Sequence, residues 1–145
     1  MTEELRLTLK VITPDREVLE TEVAYAVLPA TDGYIGILPR HIPLVTTLRP
    51  GIVSYRVKRN EDKQVVAVGE GFAEVSGEGI SVLCDSAETP DEIDVERARE
   101  ALGRAERRLE RKPEGVDAVR ARAALERAIA RLRVAGELHD NVDIS

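Results

Sequence analysis

The hydrophobic period of this chain changes once, near Glu88. That change limits its possible folds more than any other feature. Before it, apolar residues recur at every second position; after it, at every third or fourth. Leu5, Leu7, Leu9 and Val11 alternate with Arg6, Thr8 and Lys10, which buries one face of a strand. Thr13-Pro14-Asp15-Arg16 reads as a turn, because Pro presets the first turn dihedral and Asp tolerates the next. Further extended runs fall at 17–19, 22–28, 34–38, 44–48, 52–59, 64–70, 71–75 and 79–84. Turn signals separate them: Asp32-Gly33, Arg49-Pro50-Gly51, Asn60-Glu61-Asp62 and Ser76-Gly77-Glu78-Gly79. Short strands with turns at that density predict an antiparallel sandwich or barrel over residues 1–88.

Residues 89–136 predict two helices. Val95, Ala98, Leu102, Ala105 and Leu109 form one stripe; Ala118, Ala121, Leu125, Ala128, Leu132 and Ala135 form a second, widened by Ala124 and Ile129. Lys112-Pro113-Glu114-Gly115 breaks the run, and so short a connection implies an antiparallel hairpin. Its start is capped either by Thr89, with Pro90 at the first helical position and Glu92 at the third, or by Asp94. The fold class is thus α+β, and residues 137–145 read as a flexible tail. The stripes are rich in Ala, each of which buries little area at about 25 cal/mol per Å2. The hairpin is therefore expected to be only marginally held, and to move.

Composition excludes several functions. The formal charge is −6 and aromatics are 3% of the 145 residues, with no Trp. This argues against nucleic-acid binding and against a stacking carbohydrate site. The one cysteine, Cys84, permits neither an intrachain disulfide nor a multi-thiolate metal site. It alternates with Val82 and Ile80 and reads as a buried small hydrophobe in a reducing compartment. No run approaches the roughly 18 apolar residues of a membrane span. The acidic start Met1-Thr2-Glu3-Glu4 resembles neither a signal nor a transit segment. The expectation is an intracellular bacterial chain that reaches a membrane only through a partner. No nucleophile elbow, Walker loop, HExxH or CxxC is present, so catalytic residues and a metal site are both expected to be none.

His139 falls in the polar tail and reads as solvated. His41 lies in Leu38-Pro39-Arg40-His41-Ile42-Pro43-Leu44, a loop stiffened by two prolines, and is either solvated or a partner contact. The helices carry eleven arginines against one lysine, Lys112. These are either solvated charges in pairs such as Glu100 with Arg104, or an anion site, since a guanidinium fork matches phosphate oxygens. Arg97 and Arg104 share a face, offset by about 20°. Arg127 and Arg131 lie one turn apart on the other helix. Folded antiparallel, the hairpin brings all four to its open end.

Gly33-Tyr34-Ile35-Gly36-Ile37-Leu38-Pro39-Arg40-His41-Ile42-Pro43-Leu44, followed by Leu48-Arg49-Pro50-Gly51, closely resembles the signature of the ε-subunit family of bacterial F-type ATP synthases. Chain length and the order of elements agree over nearly all of residues 4–136. The resemblance implies a flattened ten-stranded β-sandwich followed by two helices. It implies a non-catalytic rotor subunit of the proton-translocating motor, joining the γ subunit to the membrane c-ring at the cytoplasmic face of the cell membrane. His41 matches the family's loop histidine on the γ-facing side. In the family the hairpin folds against the sandwich, or extends into the α/β catalytic head and blocks ATP hydrolysis. Some members bind ATP in the folded state through a motif matched here by Ile93-Asp94-Val95-Glu96-Arg97-Ala98. By the same resemblance the ATP-binding residues are Glu88, Ile93, Asp94, Arg97, Ala98, Arg104, Arg127 and Arg131. The arginines would face the phosphates; Asp94 would either accept from the adenine amino group or cap the helix. ATP is implied as a regulatory ligand, and no catalytic cofactor is implied.

Two rivals stand beside this reading. One is a stand-alone β-sandwich module with a dimerising hairpin, which would purify as a free homo-oligomer. The other is a nucleotide hydrolase, for which the sequence offers no base and no metal ligands.

Overall fold

The computed structural model of the chain describes residues 5–138, so the expectations for His139 and for the tail beyond Leu138 lie outside the described residues. Ten strands precede two helices. The strands are β1 (Leu7–Ile12), β2 (Glu17–Val23), β3 (Tyr25–Ala30), β4 (Gly33–Ile37), β5 (Leu44–Leu48), β6 (Gly51–Arg56), β7 (Gln64–Val68), β8 (Gly71–Val75), β9 (Gly79–Cys84) and β10 (Ala87–Glu88). They form one continuous hydrogen-bonded order, β10-β7-β6-β3-β5-β8-β9-β1-β2, with β4 paired to β3. A single residue pair, Ala30 with Leu48, joins β3 to β5, where the sheet folds over to make the two layers.

Alternation decides which side chains meet between the layers. Leu7, Leu9 and Val11 of β1 share one buried cluster with Ile80, Val82 and Cys84 of β9, Val66 and Val68 of β7, and Ala73 and Val75 of β8. Thr8 and Lys10 point outward and are half-exposed. The pairing departs from a purely antiparallel sandwich at one place. β1 runs parallel to β9, with Thr8 opposite Gly79 and Val11 opposite Val82. A parallel pair needs a long crossover, and the seven intervening strands supply it. Leu5 falls before β1 and is exposed, and the run 52–59 ends as strand at Arg56. Strand β10, which sequence did not separate, pairs Ala87 with Val68 and Glu88 with Ala67.

Both proposed caps are used, in series. Thr89 precedes a 3-10 turn, Pro90–Glu92; Asp94 caps α1 (Val95–Glu110), its Oδ1 accepting from the Arg97 N–H at 3.1 Å. Helix α1 ends at a turn in which Lys112 and Gly115 take positive φ (51° and 60°), and α2 (Gly115–Val134) returns antiparallel. Ala98 and Ala105 on α1, with Ala121, Ala128 and Leu132 on α2, are buried, as the stripes require.

Sequence missed a second buried face on α2. Ala130 and Val134 pack with Ile93 onto Ile52 of β6 and Ala67 of β7, flanked by Val65, Val95 and Ala135. Helix α2 is therefore the middle layer between α1 and the sandwich. This second cluster is small, so little apolar area holds the hairpin in place.

Candidate functional site

The site forms where β10, the start of α1 and the end of α2 meet. A cavity of about 200 Å3 is lined by Glu88, Asp94, Arg97, Ala98, Ala101, Arg104 and Arg131. Each side chain arrives there for a local reason. Glu88 ends β10, which is fixed on β7 by two residue pairs. Asp94 is held by its own capping bond to the Arg97 amide. Arg97 and Arg104 stand two turns apart on one face of α1, and Ala98 and Ala101 leave the wall between them low. Arg131 is in the last turn of α2, where a cation is also favoured by the helix dipole.

Six of the eight residues expected from sequence line this cavity: Glu88, Asp94, Arg97, Ala98, Arg104 and Arg131. Two do not. Ile93 is buried in the cluster beneath α2, where it anchors the connection rather than facing the cavity. Arg127 is turned toward the β7–β8 turn, with Nη1 3.6 Å from Glu70 Oε1, so three of the four arginines share the site. Sequence read the face of the helix correctly but not the carboxylate on the sandwich that draws Arg127 aside.

Three guanidiniums against two carboxylates leave the cavity an excess of positive charge. Arg131 Nε donates to Glu88 Oε1 at 2.6 Å, both side chains about one-third exposed. Among the described residues, neither the Arg97 nor the Arg104 guanidinium has an ion-pair partner. Two unpaired forks beside a third, partly neutralised one make an anion-binding arrangement suited to phosphate oxygens. Among the described residues no aromatic side chain lines the cavity, so these residues could hold a base only through polar groups and the small alanines. Asp94 is occupied as a cap through one oxygen.

A latch that sequence did not signal closes the open end of the hairpin. Arg99 Nη2 donates to Glu137 Oε2 at 2.6 Å, joining the start of α1 to the residues just beyond α2. The partners are 38 residues apart, so no local spacing betrays them.

A second surface surrounds His41. The loop 38–43 exposes Ile42 (77%) and, with β5, Val45 (70%), next to exposed Leu38. Arg40 takes φ 67°, the His41 amide donates to the Leu38 carbonyl at 3.1 Å, and His41 Nδ1 lies 2.7 Å from the Ile42 carbonyl. The loop is thus a rigid display of apolar side chains with the imidazole fixed among them. Pro43, Leu44 and Val45 continue into a groove of about 630 Å3 across the outer face of β1, β8 and β9.

Cys84 is buried, and burial together with Asp85 pushes its thiol up to about 11, as expected of an inert core residue. Among the described residues no group of His, Cys, Asp and Glu could hold a metal ion. No described helix is long and apolar enough to cross a membrane.

Residues 6–90 match the family model for the ATP synthase delta/epsilon chain β-sandwich domain, and residues 91–136 match that for its long α-helix domain. The chain is 48% identical to the ATP synthase epsilon chain of Moorella thermoacetica over 107 residues, covering 74% of this chain and 79% of the relative. It is 46% identical to that of Carboxydothermus hydrogenoformans, covering 74% and 78%. A chain in the Euglena gracilis mitochondrial ATP synthase assembly of OSCP, F1 and c-ring superposes with a TM-score of 0.72 at 25% identity, covering 90% of this chain and 81% of that one. A chain of the Tetrahymena thermophila mitochondrial ATP synthase central stalk and c-ring superposes with a TM-score of 0.56 at 11% identity, covering 92% and 99%; this shows a shared fold.

Proposed function

The chain belongs to the ATP synthase delta/epsilon chain family, and from that premise we propose that it is the ε subunit of a bacterial F-type ATP synthase, a central-stalk subunit whose hairpin senses ATP. In this reading it couples γ to the c-ring and sits peripherally at the cytoplasmic face of the membrane. Membership favours this role over a stand-alone dimerising module, and the role is one of binding and coupling rather than turnover.

One observation carries the sensing part: Arg97, Arg104 and Arg131 share one cavity in which, among the described residues, only Arg131 has an ion-pair partner. In the docked hairpin these residues can grip a triphosphate from both helices at once. In a separated hairpin they cannot, because α1 and α2 each hold part of the set. A ligand that binds only the docked form stabilises it by RT ln(1 + [L]/Kd), about 2.7 kcal/mol at one hundred times Kd. That is sufficient to bias a hairpin held by the small cluster of Ile93, Ala130 and Val134. As ATP falls, the docked form loses that support. The freed arginine-rich helices then extend along γ to acidic surface in the α/β head and block ATP hydrolysis. Arg127 is held by Glu70 in this conformation and would join the phosphates only after releasing it.

The exposed Leu38, Ile42 and Val45 around His41 support the same assignment at the other end of the molecule. A fixed apolar display of this kind is a protein-docking surface, and γ is the partner proposed for it.

Titration of ATP into the full chain, and into an Arg127→Ala, Arg131→Ala variant, tests the sensor. Saturable binding that the variant weakens strongly is expected. Equal affinity removes these arginines from the site; no binding in either removes ATP from the reading and leaves the stalk role.

A further inference from the structure

We propose that Arg16 is a positioning residue for the connection between sandwich and hairpin and, resting on the reading above, for the nucleotide site. Arg16 closes the β1–β2 turn and does not line the cavity. Its guanidinium reaches the connection at two points. Nη2 lies 2.7 Å from Glu92 Oε2 and donates to the Ala87 carbonyl at 3.4 Å. Those two anchors bracket the stretch that leaves β10 and makes the 3-10 turn, so one side chain fixes both of its ends.

The consequence reaches the cavity through covalent neighbours. Glu88 follows Ala87 directly, and Asp94 stands two residues beyond Glu92. On the far side of its carboxylate, Glu92 Oε1 accepts from the Thr89 N–H at 3.0 Å and lies 2.8 Å from the Thr89 hydroxyl. The turn is thereby closed on itself while Arg16 ties it to the sandwich. Ile93 comes next and is buried; Asp94 comes after it and caps the turn of α1 that carries Arg97 and Ala98. Displacing Glu92 displaces that whole series. Neither Arg16 nor Glu92 is deeply buried, so the pair is open to salt screening, and an exposed pair shifts an equilibrium by up to about fivefold.

Amide hydrogen exchange on the full chain without nucleotide tests the clamp. Arg16→Ala is expected to speed exchange about two- to fivefold across residues 89–98 and leave β1 and β9 unchanged. Arg16→Lys, which keeps a cationic donor for both Glu92 and the Ala87 carbonyl, should recover part of the protection. About 1 M salt, where the screening length is about 3 Å, should reproduce the loss in the parent chain and add little to Arg16→Ala. In an ATP titration, Arg16→Ala should weaken binding by up to about fivefold, with Arg16→Lys between it and the parent. Unchanged exchange in Arg16→Ala, or no recovery in Arg16→Lys, overturns the clamp whatever ATP does. A parent chain that ignores ATP overturns the nucleotide reading, and the exchange result then decides the clamp by itself.

Discussion

Arg131 and Glu88 meet across 2.6 Å, so the last turn of the last helix is tied to the last strand of the sandwich. The pair stands at the cavity and also fastens α2 to the sheet. A double-mutant cycle with Glu88→Gln and Arg131→Gln, read by denaturant unfolding of the hairpin signal without ATP, should give a coupling of about 0.5–1 kcal/mol, as for partly exposed pairs. A coupling near zero would mean the contact adds nothing to docking.

Ile93 should matter to docking without touching a ligand. Its side chain is the apolar peg between the connection and β6–β7. Ile93→Ala removes most of that peg and should cost about 2 kcal/mol, the lower end for core truncation at a site near the surface. Circular dichroism should show loss of helix at lower denaturant, with the sandwich transition unmoved.

Acid should loosen the connection through Glu92. The Arg16 guanidinium, followed by the Thr89 N–H and hydroxyl, lowers this carboxyl from 4.5 to about 2. A depressed folded-state value favours the native form above the unfolded one. The contribution is therefore complete above about pH 4.5 and disappears as pH falls toward 2. Glu92→Gln should remove this segment of the pH–stability curve, measured by unfolding at a series of acid pH values.

Cys84 should resist alkylation in the native chain at pH 8 and react once the chain is unfolded. Its thiol is raised from 9.0 to about 11 by burial, so the contribution is whole below pH 9 and fades as pH climbs toward 11. Fast labelling of native protein would contradict this.

At the other surface, Ile42→Asp should weaken association with γ about tenfold or more, as loss of an interface anchor does, with an unchanged melting temperature. Ile42 is 77% exposed and supports no core, so an effect on binding alone is the expected signature.

Apart from the two-residue β10, the strands and helices were legible because each rests on a local period, and the caps at Thr89 and Asp94 on local chemistry. Six cavity residues were legible from a helical face and a family motif. What escaped lay in contacts between distant segments. Arg16 with Glu92, Arg99 with Glu137 and Arg127 with Glu70 each join residues that no spacing relates. The parallel pairing of β1 with β9 escaped for the same reason: a strand's alternation says which face is buried and nothing about its neighbour. Ala130 and Val134 were passed over because α2 buries two faces, which blurs a single stripe.

The place of β1 in the sheet bears on how the polypeptide is made. Leu7–Ile12 is synthesised more than sixty residues before Gly79–Cys84, one of its two neighbours. Until then the edge of β1 that faces away from β2 is open, and pairings this remote close slowly. The helices are synthesised after all ten described strands and add no strand to the sheet. Helix α2 rests on β6 and β7 through side chains alone, so the hairpin can leave without unravelling what lies beneath.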